Sequence, residues 1–365
     1  MVILGSTGSI GKNALNLCQK FGVEVEALSC AKNVDLLNEQ ILKFKPKFVC
    51  VGDEKLVKNV KNIESKNVFF GETGLLQMLE NSSSKKVINS LVGFAGLAPS
   101  LKTQALGKKL ALANKESLVV GGKFLKTREI LPIDSEHFGL KFLLENKTPA
   151  KKLIITASGG AFYKKPIKFL KDATPSDALK HPNWDMGAKI TIDSATMVNK
   201  LFEVMEAYWL YGIKEIEAVI EPTSAIHAVV EFIDGSSTMH LSRPDMKLAI
   251  AHAMFENVSE NIVSHANLLD LKNIKFHKIS LKKYPIFSLK DEVLANPDLG
   301  VVINAANEVG VFSFLEQKCS FLDISRLILG SVKKFRNLKI NDQDEIFEVD
   351  KEVRNYAKRM LNAKV

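Results

Sequence analysis

The densest run of side chains able to do chemistry is His181-Pro182-Asn183-Trp184-Asp185-Met186-Gly187, followed at once by Ala188 to Glu203. Pro182 and Asn183 at the front and Gly187 at the back forbid a regular element, so 181–187 reads as an ordered loop. It offers Trp184 and Met186 to whatever it closes over. Lys189-Ile190-Thr191-Ile192 reads as a short alternating run, and Asp193-Ser194-Ala195-Thr196 as the start of a helix carrying Met197, Leu201, Val204 and Met205 on one side. On such a helix Asn199 and Glu203 share a face, with Lys200 and Ser194 near its amino-terminal end. An ammonium, an amide and a hydroxyl beside free backbone N–H groups make an anion site, and Glu203 can reach a cation next to that anion. The plainer reading is a capped amphipathic helix after a hairpin.

Three further groups have the right types and spacing. Asp134-Ser135-Glu136 follows the apolar run Ile130 to Ile133, so two carboxylates at a strand end can converge on one ion, with Ser135 between them free to bond a substrate. Oxygen-only ligands indicate Mg²⁺ or Mn²⁺ rather than zinc. D-x-E is common by chance and in isolation is more often a helix amino-terminal cap; its weight as a metal site comes from a third carboxylate, which Glu203 can provide. Ser158-Gly159-Gly160 closes the strand Leu153 to Ala157 with exposed backbone donors, either a phosphate cradle or a tight turn. Lys115, in Asn114-Lys115-Glu116-Ser117, lies just past the carboxyl end of the strand Leu110 to Ala113, where open α/β sheets keep their ligands. His227, beside an apolar run, is taken as a core histidine, or one that supports a ligand, before a ligand itself.

These groups need a scaffold, and the chain opens with one. Val2-Ile3-Leu4, the turn Gly5-Ser6-Thr7-Gly8-Ser9-Ile10-Gly11 and the helical run Lys12 to Phe21 form a strand, a glycine-rich turn and a helix, the arrangement that receives a dinucleotide pyrophosphate. The glycines recur every third residue rather than as G-x-G-x-x-G. Val23 to Leu28 is the expected next strand. After it come Ala31-Lys32-Asn33, where an NAD site would place an acid; lysine and asparagine suit a 2′-phosphate, so the expected cofactor is NADPH, against a solvated lysine in a turn. Runs at 48–51, 68–70, 87–90 and 110–113 predict a doubly wound, mainly parallel sheet. Strands at 218–221, 228–233 and 237–241, the last two joined by an Asp234-Gly235 turn, predict a second sheet. Residues 262–287 are irregular, and apolar stripes through Ile324 to Phe335 and Ile346 to Met360 predict a carboxyl-terminal helical bundle.

Composition excludes several classes. The 365 residues suffice for two or three cores. No apolar run is long enough to span a bilayer, and Met1-Val2-Ile3-Leu4-Gly5 enters a strand with no basic leader, so a cytoplasmic location is expected. Cys18, Cys30, Cys50 and Cys319 lack the spacing of a zinc site or disulfide framework. The net charge of +9 is spread over scattered lysines, which suits phosphates but equally reflects compositional drift toward lysine, and no basic cluster with interleaved aromatics points to nucleic acid.

GSTGSIG at 5–11, LANKES at 112–117, LPIDSEH at 131–137, ASGG at 157–160, HPNWDMG at 181–187, DSATMVNK at 193–200 and NAANE at 304–308 run in order through the chain. Together they closely resemble the 1-deoxy-D-xylulose 5-phosphate reductoisomerase family. The resemblance implies a homodimer whose subunit has an NADPH-binding domain (1–134), a central α+β catalytic domain (135–258) with a lid at 181–189, a linker (259–285) and a helical domain (286–365). It implies a divalent metal, Mn²⁺ or Mg²⁺ with Co²⁺ admitted, on Asp134, Glu136 and Glu203. Ser158, Ser194, Asn199 and Lys200 would hold the substrate phosphate beside His181, Ser135 and Lys115 would bond its hydroxyl and carbonyl end, and Trp184 and Met186 would form the lid. For NADPH it implies Thr7, Gly8, Ser9, Ile10, Ala31, Lys32, Asn33, Asn114, Glu116 and Gly187. The chain departs from the family pattern at Ala31, usually Gly, and at Leu201-Phe202, usually Gly-Leu. Two other readings remain open: a metal-independent NADP-dependent dehydrogenase of the semialdehyde or homoserine type, and a non-catalytic dinucleotide-sensing protein.

Overall fold

A computed structural model describes residues 1–145, 148–267, 269, 271 and 273–363. The chain forms two compact units, Met1–Ser117 with Leu125–Asp134 and Asp245–Val263, and Leu118–Phe124 with Ser135–Pro244 and Ser264–Val365.

The first unit is a parallel sheet of β1 (Val2–Leu4), β2 (Ala27–Cys30), β3 (Phe48–Val51), β4 (Val68–Phe70), β5 (Lys86–Asn89), β6 (Lys109–Leu112) and β7 (Leu131–Pro132), in the order β4-β3-β2-β1-β5-β6-β7. Its direction of winding reverses between β1 and β5, so the turn after β1 is the crevice where a doubly wound sheet binds ligands. Strand residues alternate between two cores. Ile3, Leu28, Val49 and Ile88 face α1 (Ser9–Lys20) and α2 (Val34–Phe44), while Val2, Leu4, Ala27 and Val87 pack on α3 (Gly71–Asn81). A later helix, α10 (Met246–Met254), returns to the first of these cores through Ile250, Ala251 and Ala253. The second strand thus begins four residues later than the apolar run from Val23 predicts, because Val23 and Val25 pack into the core ahead of the ladder.

In the second unit a mixed sheet has the order β11-β10-β8-β9-β12, built from β8 (Ala150–Ala157), β9 (Ile216–Ile220), β10 (Ile226–Phe232), β11 (Ser237–Leu241) and β12 (His277–Lys278). β8 is central, antiparallel to β10 and parallel to β9. The β8 to β9 crossover carries α7 (Pro175–Ala178), the 181–187 loop, α8 (Ala188–Thr196) and α9 (Val198–Tyr211). Helices α12 (Leu299–Leu315), α13 (Phe321–Lys334) and α14 (Gln343–Asn362) pack on one another, α12 buried almost all round and the other two on one apolar face. In the expected linker 259–285, Leu268, Asp270 and Lys272 lie outside the described residues, as do Lys364 and Val365 of the expected helical domain.

The structure corrects one local expectation. Residues 189–192 are helical, not extended, and the helix does not run on through Glu203. It ends at Met197, a non-glycine residue with φ of 67°, and a second helix starts at Val198. Four alternating residues are too few to separate a strand from a buried helical turn. Here Lys189 and Asp193, four apart, pair at 2.8 Å and set the helical spacing.

Candidate active site

The kink at Met197 matters because it offers two helix ends instead of one. Ser194 belongs to the last turn of α8, while Asn199 and Lys200 lie in the first turn of α9, a 14-residue helix with no side-chain cap. Ser158-Gly159-Gly160 leaves the central strand β8 and lies directly against α8: a Cβ on Gly160 would come within 2.6 Å of Ser194 O. Glycine at 160, with φ of +68°, lets the two serines share one small region.

His181 supports this region from the loop. Its Nδ1 accepts from the backbone N–H of Asn183 at 3.3 Å and of Trp184 at 3.0 Å, so the ring proton belongs on Nε2, 2.9 Å from Ser158 Oγ. Ser158 Oγ also accepts from Gly160 N at 3.1 Å, which leaves its own proton free to be donated to a phosphate oxygen. Burial, and then the charge of Lys200, lower the His181 pKa to about 4, so the neutral ring persists at ordinary pH. Trp184 meets the ring of His227 edge-on at 6.1 Å, and Met186 is half-buried farther along the loop. His227 is buried, with Nε2 at 3.2 Å from Ser242 O, in keeping with its reading as a packing histidine.

Asp134, Glu136 and Glu203 come together, their ligating oxygens all within 4.8 Å of one another. Asp134 and Glu136 are two residues apart in one chain turn, at the start of α6 (Ser135–Leu143). Glu203 lies on α9, and the crossing of α6 with α9 that presents Glu136 to it is held by Tyr211 OH donating to His137 O at 2.6 Å, with His137 Nε2 lying 3.2 Å from Glu206. Carboxylates this close repel by about 1 kcal/mol per pair in water and several-fold more when partly buried. Ammonium groups offset that. Lys115 Nζ stands 2.6 Å from Asp134, and Lys200 Nζ stands 2.7 Å from Glu136 and bonds Glu203 as well. Asn199 Nδ2 donates to Glu203 at 2.6 Å, and Ser135 Oγ to Glu136 at 2.5 Å. Three hard oxygen donors that already draw two cations fit a divalent ion such as Mg²⁺. Leu201 and Phe202 do not displace Glu203: both are fully buried, and the Lys189 ammonium lies 5.1 Å from the Phe202 ring centre.

Sequence reasoning missed what holds α8. Lys189, Asp193 and Asn307 form a buried chain, Asn307 Nδ2 donating to Asp193 Oδ1 at 2.8 Å, with Asn304 and Arg354 both bonded to Glu308 on the same helix α12. The NAANE motif was the signal available for it.

In the first unit the Gly5–Gly11 turn fits a pyrophosphate. A Cβ on Gly11 would strike Gly5 O at 2.4 Å, so the turn is closed by glycine contact, and α1 begins at Ser9 with no side-chain cap and no acid in its first turn. Thr7 is half-buried, Gly8 and Ser9 are exposed and Ile10 is half-buried. Ala31, Lys32 and Asn33 are exposed after β2; the Ala31 carbonyl accepts from Gly52 N at 3.0 Å, and Asn33 Oδ1 caps α2 by accepting from Leu36 N at 3.2 Å. Asn114 is buried, its amide donating to Leu91 O, Gly93 O and Glu116, so in this structure it shapes the 91–93 loop. Gly187, in the second unit, accepts from Thr191 N at 3.1 Å and starts α8.

Fold and site together define a class: an enzyme joining a doubly wound dinucleotide-type sheet to a carboxylate metal centre with an adjacent anion cradle. Family models described as 1-deoxy-D-xylulose 5-phosphate reductoisomerase, its C-terminal domain and the DXP reductoisomerase C-terminal domain match residues 1–122, 130–211 and 241–356. The reductoisomerase of Campylobacter curvus is 70% identical over 100% of both chains, and that of Campylobacter hominis 62% identical over 99% of both. Among solved structures, a DOX-P reductoisomerase in complex with NADPH, fosmidomycin and magnesium superposes with a TM-score of 0.90 at 32% identity, covering 99% of this chain and 98% of its own. The Zymomonas mobilis enzyme in complex with NADPH gives 0.86 at 29%, with the same coverage. The chain belongs to the 1-deoxy-D-xylulose 5-phosphate reductoisomerase family.

Proposed function

We propose that this chain converts 1-deoxy-D-xylulose 5-phosphate to 2-C-methyl-D-erythritol 4-phosphate, using NADPH and a divalent metal, in the non-mevalonate route to isoprenoids. The observation that carries the reading is the meeting of Asp134, Glu136 and Glu203 within 4.8 Å. When bound there, Mg²⁺ or Mn²⁺ supplies Lewis-acid polarisation of the substrate's carbonyl and neighbouring hydroxyl. NADPH, when bound, supplies the reducing equivalent for the rearranged aldehyde.

The chain's own groups do the rest. Ser158, Ser194 and the amino-terminal turn of α9, with Asn199 and Lys200, hold the phosphate, which fixes one end of the sugar. His181 keeps its proton on Nε2 and so orients the Ser158 hydroxyl. Ser135 and Lys115 bond the substrate's reacting oxygens, Lys115 from beside Asp134. Trp184 and Met186 cover the sugar and exclude water. Both carbon-skeleton routes, cleavage of the C3–C4 bond with re-formation or a direct shift, fit these residues. Thr7, Gly8, Ser9, Ile10, Ala31, Lys32, Asn33, Asn114, Glu116 and Gly187 serve NADPH, and the functional segments are 1–134 for the cofactor, 135–258 for catalysis, 259–285 as linker and 286–365 as helical support. We place the enzyme in the cytoplasm; no helix among the described residues is long and apolar enough to cross a membrane. A homodimer is supported by the edge position of β11, which carries the exposed Met239.

The test is oxidation of NADPH on addition of 1-deoxy-D-xylulose 5-phosphate, with and without chelator. Oxidation that stops in chelator, returns with Mg²⁺ and is blocked by fosmidomycin is expected. Oxidation unaffected by chelator would favour the metal-independent dehydrogenase, and none under any condition the dinucleotide-sensing protein.

A further inference from the structure

The loop after β9 is folded around a buried acid. Glu221 is fully buried, and its two oxygens take four neutral donors from the next five residues. Oε1 accepts from Thr223 N at 2.8 Å and Thr223 Oγ1 at 2.7 Å, and Oε2 from Ala225 N at 2.9 Å and Ile226 N at 3.2 Å. Wrapping the chain this tightly puts Ser224 at φ of 56°, a conformation a non-glycine residue adopts only when its surroundings enforce it.

What the wrapped loop presents is a pair of acceptors. Pro222 O and Ser224 Oγ both receive the Asn183 side-chain amide, at 2.9 and 2.7 Å. Asn183 is the residue before Trp184, and Trp184 rests on His227, which follows the same loop on β10. The 181–187 loop is therefore held at its base by His181 and at its middle by Asn183.

We propose that Glu221 is a positioning residue for the lid: its carboxylate builds the receptor that latches Asn183 and so sets where Trp184 stands. This rests on the reading of 181–187 as the cover of the sugar phosphate. A buried carboxylate is costly to desolvate, and a turn needs none. Its four donors explain both the left-handed Ser224 and the two acceptors turned toward Asn183.

Trp184 and Trp209 are the two tryptophans of the chain, so in a Trp209→Phe parent, with tryptophan excited selectively over tyrosine, the emission is that of Trp184. Glu221→Gln keeps the size of the side chain but sets an NH₂ against backbone N–H groups; Asn183→Ala removes the latch from the lid side. In each, acrylamide quenching of Trp184 without substrate should rise by about two-fold. KM for the sugar phosphate should rise by about ten-fold, the equivalent of about 1.4 kcal/mol, while KM for NADPH stays put. The double variant should match the singles rather than reach about a hundred-fold, because the two residues act through one contact. A folded Glu221→Gln protein with a lower Tm but parental quenching and KM would overturn the latch, and so would additive effects. Should the parent fail to oxidise NADPH with this substrate, the proposed activity falls, while the quenching comparison still decides the latch.

Discussion

Carboxylates from the two units, Glu26 on one side and the pair Glu136 and Glu203 on the other, are held in opposite ways. Glu26, in the first, is enclosed by Ser82, Ser83 and Ser84, which give its oxygens five hydrogen bonds of 2.5 to 3.0 Å. Burial pushes its pKa up, but the bonds from Ser84, Ser82 and Ser83 more than reverse this and hold it at about 2. Glu136 and Glu203, in the second, crowd each other and Asp134; Lys200 pairs with both glutamates, as Lys115 does with Asp134. Neutral donors that saturate a lone acid make architecture. Acids forced together and calmed by cations make a place where another cation is welcome.

The contrast can be broken most severely at Glu203. Glu203→Gln should cut turnover by about 1,000-fold or more while NADPH affinity changes little, read by NADPH oxidation and by titration of NADPH fluorescence. Metal-dependent turnover surviving at the parental rate would remove Glu203 from the ligand set. The opposite outcome is expected for Glu26→Ala: stability drops by about 2 kcal/mol in urea unfolding, and turnover per folded molecule stays the same. The folded pKa of Glu26 lies below its ordinary value near 4.5, so its contribution is present above about pH 4.5 and is lost as pH falls toward 2. The stability gap between parent and variant should close over that range, and a constant gap would mean packing rather than charge.

Smaller effects test the proposed lid role of the 181–187 loop. Trp184→Ala should raise KM for the sugar phosphate by about ten-fold with a lesser change in kcat; an unchanged KM in a folded variant would separate the loop from substrate binding. His181 should give the mildest signal. Its folded pKa, about 4, is below the 6.5 of a free ring, so from pH 6.5 down to 4 the undocked loop takes up a proton that the docked loop refuses. Docking weakens as pH falls through that window and is untouched above it. A protonated Nδ1 would face the N–H groups of Asn183 and Trp184. KM should climb from pH 7 to pH 5, and His181→Asn, which keeps an acceptor but cannot titrate there, should flatten the part of the slope not due to the substrate phosphate.

Much of this was legible beforehand. The strand, glycine turn and helix at the start, and the acid pair after β7, are signalled within a dozen residues each, where backbone geometry and local spacing carry the information. The pairing of Glu26 with Ser82 to Ser84 was not, since nothing local to three serines points to an acid 56 residues earlier. Lys189 to Ile192 read as extended for a related reason. The side chain that makes it helical, Asp193, shows its worth through a buried bond to Asn307, 114 residues on.

From its order of residues alone the chain determined which groups were available and which short turns could form, because those depend on neighbours a few bonds away. It also determined, through the alternation of apolar positions, that two sheets would bury them. The tertiary structure alone decided that Glu203 meets Glu136 through the crossing of two helices, that the run from Asp193 breaks at Met197 to set two helix ends beside Ser158, and that Glu221 holds a receptor for Asn183. The first turns on the desolvation of charged groups from distant segments, stable in the interior when their partners arrive with them, and the other two on backbone turns that only the packing around them enforces.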